Sequence, residues 1–301
     1  MFCELFKNMS SFASSYLMGG LNSVVSCYLM GGLGNQLFQI FATISAAIRS
    51  NTGFFFPRSD WLLVGKPRPT YWKSFLDRLE PFTKEFDVTA LPRIAERGFE
   101  YDPNIQSIRS TSYLYGYFQS YKYFEAEYDH IIRWIGLRDK QAAIKTKIFD
   151  ENPSSIFVSM HFRLGDYVNL QNHHPVMSVK YYMNALKHLV SQRTTEDNLT
   201  VIYFNERDDQ ATVDISIAVL SKAFPLIRFV KADFESDWEQ MLLMSLCQHN
   251  IIANSSFSWW GAYFNANKDK IVCYPSMWFG PGSAYKNTRD LFPPEWTKVL
   301  V

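Results

Sequence analysis

Arg163 sits in the run His161-Phe-Arg-Leu-Gly-Asp-Tyr167, at the end of the apolar stretch Ile156 to Phe162. A continuous apolar run of that length reads as a strand buried on both faces. Ligands of open α/β sheets bind outside the carboxyl ends of their strands, so polar residues there are candidates by position. A guanidinium at such an edge can grip a pyrophosphate with a planar fork of donors and stays charged throughout a reaction. His161 and Asp166 could orient it or touch a nucleotide. A plain Arg–Asp pair pinning a loop would use the same residues.

A second cluster, Asn254-Ser-Ser-Phe-Ser-Trp-Trp-Gly261, follows the short apolar run Asn250 to Ala253. Asn254, Ser255, Ser256 and Ser258 at the start of a helix would offer amides and hydroxyls to an anion. Simple helix capping by the serines is the competing account. Trp259 and Trp260 fit a core better than a ligand platform. The third cluster, Gly31-Gly-Leu-Gly-Asn-Gln36, lies between a β-prone run and a helical one. Gly32, Gly34, Asn35 and Gln36 would let backbone approach a ligand at a helix start. Position 37 is Leu, so the third glycine of a dinucleotide fingerprint is missing, which disfavours a dinucleotide oxidoreductase. No D-x-D, H-x-H or H-E-x-x-H occurs, and no metal ligands are assigned. Charge stabilisation would then fall to Arg163 and helix termini. Asp166 and Glu206 are both candidate bases.

The elements that must position these groups alternate. Val24 to Met30 reads as a strand and Leu37 to Ile48 as a helix with apolar positions at helical spacing. Prolines punctuate Phe54 to Ser120, which implies loops with short elements. The run Tyr113 to Phe118 reads as a strand, with helical segments after it to about Ile148. Strands are then expected at 156–162, 201–205, 227–230, 250–253 and 271–274, the last closing the series. Helices are expected at 179–192, 211–224, 237–248, with Asp237 as N-cap, and 259–266, after a turn at 255–258. Such alternation implies α/β architecture with parallel doubly wound sheets. We place an N-terminal extension at 1–23, one lobe at 24–150 and a second at 151–301.

Length and composition agree. A chain of 301 residues exceeds the usual single core, and 47% hydrophobic with 20% charged residues is ordinary for a globular protein. The net charge of +1 argues against nucleic acid as a partner. Four scattered cysteines, Cys3, Cys27, Cys247 and Cys273, read as reduced thiols. No apolar run reaches the ~18–20 residues of a membrane span, so a soluble, cytoplasmic protein is expected. Sequons at Asn8, Asn198 and Asn254 read as chance matches, and the echo of Tyr16–Leu21 in Tyr28–Leu33 is too short for a repeat architecture.

The motifs together resemble the α-1,2-fucosyltransferase family. Gly-Gly-Leu-Gly-Asn-Gln-Leu-Phe-Gln39 is similar to its N-terminal motif, His-Phe-Arg-Leu-Gly-Asp-Tyr167 to its H-x-R-R-G-D-Y, and Ile-Ile-Ala-Asn-Ser-Ser-Phe-Ser-Trp-Trp-Gly-Ala262 to its third block. Tyr-Gly-Tyr-Phe-Gln-Ser120 and Leu-Met-Ser-Leu-Cys247 also fit, so the resemblance runs from about residue 24 to 298. It implies a GT-B-like fold of two Rossmann-like lobes with the donor cleft between them. It also implies GDP-fucose as donor substrate, no cofactor, a galactose-containing glycan as acceptor, and inversion without a metal. By motif, Arg163 would hold the diphosphate, His161 and the Gly32–Asn35 loop would touch donor or nucleotide, and Ser255, Ser256 and Ser258 would line the phosphate pocket. The C-terminal lobe would bind the donor and the N-terminal lobe the acceptor, through Trp61, Trp72, Tyr101 and Tyr115. The motif's second arginine is Leu164 here. Transfer to another linkage or acceptor, and a non-catalytic nucleotide- or glycan-binding module, are the alternatives.

Overall fold

The computed structural model describes residues 23–148, 156–192 and 199–301. The N-terminal echo, Cys3, the sequons at Asn8 and Asn198, and the expected boundary near residue 150 lie outside these residues. The chain forms two compact units, Met1–Leu137 with Arg289–Leu291, and Arg138–Thr288 with Phe292–Val301.

In the first unit, β1 (Val24–Cys27) leads through the glycine turn into α1 (Leu33–Ser50), followed by β2 (Gly53–Phe54), β3 (Arg93–Ala95) and β4 (Ser112–Tyr115). These strands form a wholly parallel sheet in the order β2-β1-β4-β3. Helix α1 starts four residues before Leu37 because Gly32 takes the extended N-cap conformation. It buries nearly its whole circumference, and Phe38 and Phe41 pack on Phe124 with ring centroids 5.9 and 5.5 Å apart. Strand β4 ends at Tyr115 rather than Phe118. A side chain at Gly116 would meet Glu96 Cβ at 2.5 Å, and Phe118 holds φ +51°, which breaks the strand. Glu96 Oε2 fixes the break by accepting from the amides of Tyr117 (2.9 Å) and Phe118 (3.2 Å).

The proline-rich middle is short pieces, as its punctuation implies: Phe56–Pro57 pairs with Thr83–Lys84, and Trp61–Leu62 with Arg68–Pro69. Trp72 is core, buried and stacked on Phe56. Tyr101 packs against Tyr123, while Trp61 and Tyr115 are exposed. Residues 289–291 join this unit through Asp290, which pairs with Lys122 Nζ at 2.5 Å and accepts from the Tyr101 amide at 3.2 Å.

Helix α2 (Leu137–Ile148) brings the chain into the second unit from Arg138 on, and its Gln141 Nε2 donates to Ser245 Oγ at 2.7 Å and to the Phe264 carbonyl at 3.2 Å. Strands β5 (Ile156–His161), β6 (Leu199–Phe204), β7 (Arg228–Lys231), β8 (His249–Ile251), β9 (Val272–Pro275) and β10 (Thr297–Val299) are all parallel. Their order is β7-β6-β5-β8-β9-β10. Chain order therefore grows outward in one direction from β5 and then in the other, so the topology switches between β5 and β8. Helices α3 (Val179–Ser191), α4 (Gln210–Ala223), α5 (Asp237–Leu246) and α6 (Ser256–Tyr263) alternate with the strands. Two boundaries differ from expectation. Ser236, extended, occupies the N-cap of α5 and Asp237 is its first residue. Helix α6 starts at Ser256, since Ser255 already caps it by accepting from the Phe257 amide at 3.3 Å. Strand β10, after the one expected to close the series, completes the sheet; its three residues are too few for a pattern to reveal.

Buried polar pairs fix this sheet. Asn250, wholly buried, donates to Ser159 Oγ at 2.7 Å and to the Met244 carbonyl at 2.8 Å, and accepts from Asn265 at 2.8 Å. Cys27, Cys247 and Cys273 are buried, and burial pushes the Cys27 and Cys273 thiols up to about 12, which leaves them unreactive.

Candidate active site

Three loops leave the carboxyl ends of the adjacent strands β6, β5 and β8, which is where an open α/β sheet opens its crevice. The β5 loop carries His161, Arg163, Gly165, Asp166 and Tyr167. The β6 loop carries Glu206 and Asp209, and the β8 loop leads through Asn254 into α6. Helix α3 ties the strand ends from one face. Tyr182 donates to the His161 carbonyl at 2.9 Å, and Tyr181 to the carbonyls of Ile252 (2.5 Å) and Cys273 (3.1 Å).

Arg163 is held on three sides. One terminal nitrogen donates to Glu206 and the other to Asp166, while the guanidinium lies over the Tyr167 ring, 5.0 Å from its centroid. Tyr167 is stacked in turn on His174 at 4.8 Å. Burial alone would disfavour the charge, but Glu206 and Asp166 outweigh it and raise the guanidinium pKa further. Gly165 makes the turn possible at φ +44°; its amide donates to Asp209 at 2.9 Å, and a Cβ would sit 3.1 Å from Glu206 Oε2. Leu164, the departure from the family motif, is buried in the unit's core, and its position offers no second cation.

The β5 and β8 loops meet. Tyr167 donates to the Asn254 carbonyl at 3.3 Å, and the rings of His161 and Phe257 lie 5.6 Å apart. Asn254 spends its amide nitrogen on the carbonyls of Pro175 (2.9 Å) and Trp278 (3.1 Å), so this sequon is locked inside the fold. Its Oδ1 and the Nδ1 of His161 are buried without protein partners. They are two of eight such atoms among the described residues; buried polar atoms call for a partner, and a polar ligand at these loops would supply one. Ser255 is the helix cap, Ser258 donates to the Ser255 carbonyl at 3.4 Å, and Ser256 is half-buried at the first turn. The serines thus cap the helix and lie at its electropositive end together.

His161 is neutral. Burial, reinforced by Arg163, lowers its pKa to about 3. The unfolded chain protonates the imidazole at about 6.5, so between those values the unfolded state holds the extra proton and acid favours unfolding. The stability that neutral His161 contributes is complete above about 6.5 and is lost as pH falls towards 3. The stability advantage of wild type over His161→Gln should therefore shrink with acidification, at up to about 1.4 kcal/mol per pH unit. Urea melts of both proteins across this range check it; a constant difference would mean that the imidazole titrates normally in the fold.

The Gly31–Gln36 turn belongs to the other unit. Gly31 has φ +77°, and a Cβ there would meet Asn35 Nδ2 at 2.5 Å. Gln36 is fully buried and serves the turn, donating to the carbonyls of Gly31 (3.0 Å) and Pro69 (2.9 Å). Gln39 does the same for Met30, bonding both its amide and its carbonyl. Gly34 is also buried. Gly32 and Asn35 are partly open, and Asn35 Oδ1 accepts from Gln119 at 2.8 Å. Sequence reasoning missed Tyr167 as the surface beneath Arg163 and Asp209 as the anchor of Gly165. Tyr167 was visible as part of its motif; the pairing of Asp209 with a residue on another loop left no local signal. Among the described residues no three His, Cys, Asp or Glu side chains cluster to hold a metal ion.

Residues 100–299 match glycosyl transferase family 11. The chain is 29% identical over 188 residues to the O-antigen biosynthesis glycosyltransferase WbnK of Escherichia coli, a match covering 59% of this chain and 58% of that protein, under two thirds of its length. It is 24% identical over 282 residues to a galactoside 2-alpha-L-fucosyltransferase of Caenorhabditis elegans, covering 88% of this chain and 76% of the relative. Among solved structures, a GDP complex of a mutant Arabidopsis thaliana FUT1 aligns with a TM-score of 0.47 at 10% identity, covering 95% of this chain and 79% of that one. With both C-terminal motifs inside the matched region, the chain belongs to glycosyl transferase family 11, the family of α-1,2-fucosyltransferases that its motifs resemble.

Proposed function

We propose that this chain transfers L-fucose from GDP-fucose to a hydroxyl of a galactose-containing glycan, forming an α-1,2 linkage with inversion and without a metal. The observation that carries this reading is Arg163, planted between Glu206 and Asp166 beside the start of α6, with unpartnered polar atoms of His161 and Asn254 at the same crevice. The bond from the fucose anomeric carbon to the diphosphate breaks, and a bond to the acceptor oxygen forms on the opposite face of the sugar. Negative charge grows on the departing GDP, and Arg163 with the helix start stabilises it most in the transition state. The acceptor hydroxyl gives its proton to Asp166, Glu206 or the leaving phosphate. Neutral His161 offers a hydrogen bond rather than a charge.

Guanidinium and two carboxylates together carry a net negative charge, so an incoming diphosphate must displace at least one carboxylate. Glu206, the more exposed of the two at 46% against 37% for Asp166, is the one to yield. The test is release of GDP from GDP-fucose with a panel of β-galactosides in the presence of EDTA. Acceptor-dependent release is expected. Tight GDP binding without turnover would instead favour a binding module or another sugar, and absence of GDP binding would overturn the donor assignment.

A further inference from the structure

The first unit carries the hairpin Trp61–Leu62 against Arg68–Pro69, with Leu63-Val64-Gly65-Lys66-Pro67 as its turn. Trp61, Leu63 and Val64 are 55%, 77% and 50% exposed. Leu62, between them, is buried, as alternation along a strand requires. Exposed single apolar residues are ordinary, but three large ones within four residues of one turn are a cluster of the kind found at interaction sites. The hairpin is also held at its base. Pro69 O accepts from Gln36, the Thr70 amide donates to the Asp60 carbonyl at 3.0 Å, and Lys73 pairs with Asp60 at 2.8 Å. Gly65 turns the chain at φ +72°, and a Cβ there would touch nothing within 4 Å. The tip is therefore an anchored projection with an apolar end.

Its charge is one-sided. Residues 58–73 hold Arg58, Lys66, Arg68 and Lys73 against Asp60 alone, in a chain whose 30 basic and 29 acidic residues nearly cancel. An indole and two aliphatic side chains beside Lys66 and Arg68 match the boundary of an anionic bilayer. At such a boundary an indole would sit at headgroup depth, Leu63 and Val64 would reach the acyl edge, and the cations would meet lipid phosphates. We propose that this hairpin docks the chain on an anionic lipid surface. The contact is peripheral: no described helix is long and apolar enough to cross a membrane.

Co-sedimentation of the full chain with vesicles of phosphatidylcholine, alone or mixed with phosphatidylglycerol, tests this. Binding should be at least about tenfold stronger to the anionic vesicles and should weaken as salt screens the cations. Leu63→Asp with Val64→Asp should reduce it at least about tenfold, and Lys66→Glu with Arg68→Glu should remove the preference for phosphatidylglycerol. Ile215→Asp, which changes an equally exposed apolar side chain on α4 in the other unit, should bind as wild type does. Circular dichroism melts report whether each variant folds. Independently, brominated lipid should quench tryptophan fluorescence of the wild type on anionic vesicles, and less so in Trp61→Phe. Failure to bind, equal binding to neutral vesicles, or binding that survives the aspartate pair would each overturn the proposal. So would hairpin-dependent capture of a soluble acidic protein without vesicle binding.

Discussion

Arg163→Ala should lower acceptor-dependent GDP release from GDP-fucose by about 10^3-fold, the scale expected when a donor aimed at developing charge is removed. Once Glu206 has yielded to the diphosphate, Asp166 and the Tyr167 ring still hold the guanidinium, so it need not reorganise as charge grows on the leaving group. Arg163→Lys should recover little, because an ammonium has no planar fork with which to bond Asp166 and the diphosphate together. Glu206→Gln gives the opposite sign for binding: it removes a competitor for Arg163, so GDP should bind at least as tightly as to wild type. Calorimetry with GDP, alongside steady-state kinetics, separates these outcomes. Near-wild-type turnover in Arg163→Ala, with the fold intact by circular dichroism, would remove Arg163 from the chemistry and leave it a pin for its loop.

Trp259→Ala should destabilise the second unit by about 3–5 kcal/mol, the range for emptying a fully buried indole site. Trp259 is wholly buried, stacked on Tyr263 at 4.6 Å and packed against Trp260 at 5.2 Å and Trp296 at 5.4 Å. It stands one turn below Ser255 and Ser256, so the same cavity would loosen the helix start that faces the crevice. Urea melts should show the loss, and GDP affinity should fall with it. A variant with unchanged stability but weakened GDP binding would mean that the indole is a ligand platform after all, the reading that its burial opposes.

The order of strands and helices in the second unit was legible because buried parallel strands are continuous apolar runs separated by helical periods. The helix after the glycine turn was legible for the same reason. Ends were less so. Helix α6 begins inside the serine run because Ser255 caps it, a choice made by one side-chain hydrogen bond. Strand β4 stops at Tyr115 because Glu96, from the neighbouring strand's end, claims the next amides. Strand β10 exists because β9 offers it an edge.

By itself the sequence determined which residue types could do chemistry and that they follow strands, since motif and apolar period are both local. Arg163, His161 and the serines around Ser255 needed nothing more to be named. Only the tertiary structure decided what each of them faces. Sheet order sets β6 and β8 on either side of β5, which delivers Glu206 to Arg163 and the Asn254 carbonyl to Tyr167 across separations in sequence that no local pattern encodes. It also decided that Gln36, named with its neighbours in the glycine turn as a candidate contact, is buried and bonded to Gly31 and Pro69, while Trp61 and Leu63 are left in water. Burial is a property of packing, and packing is settled by contacts between residues far apart in the chain.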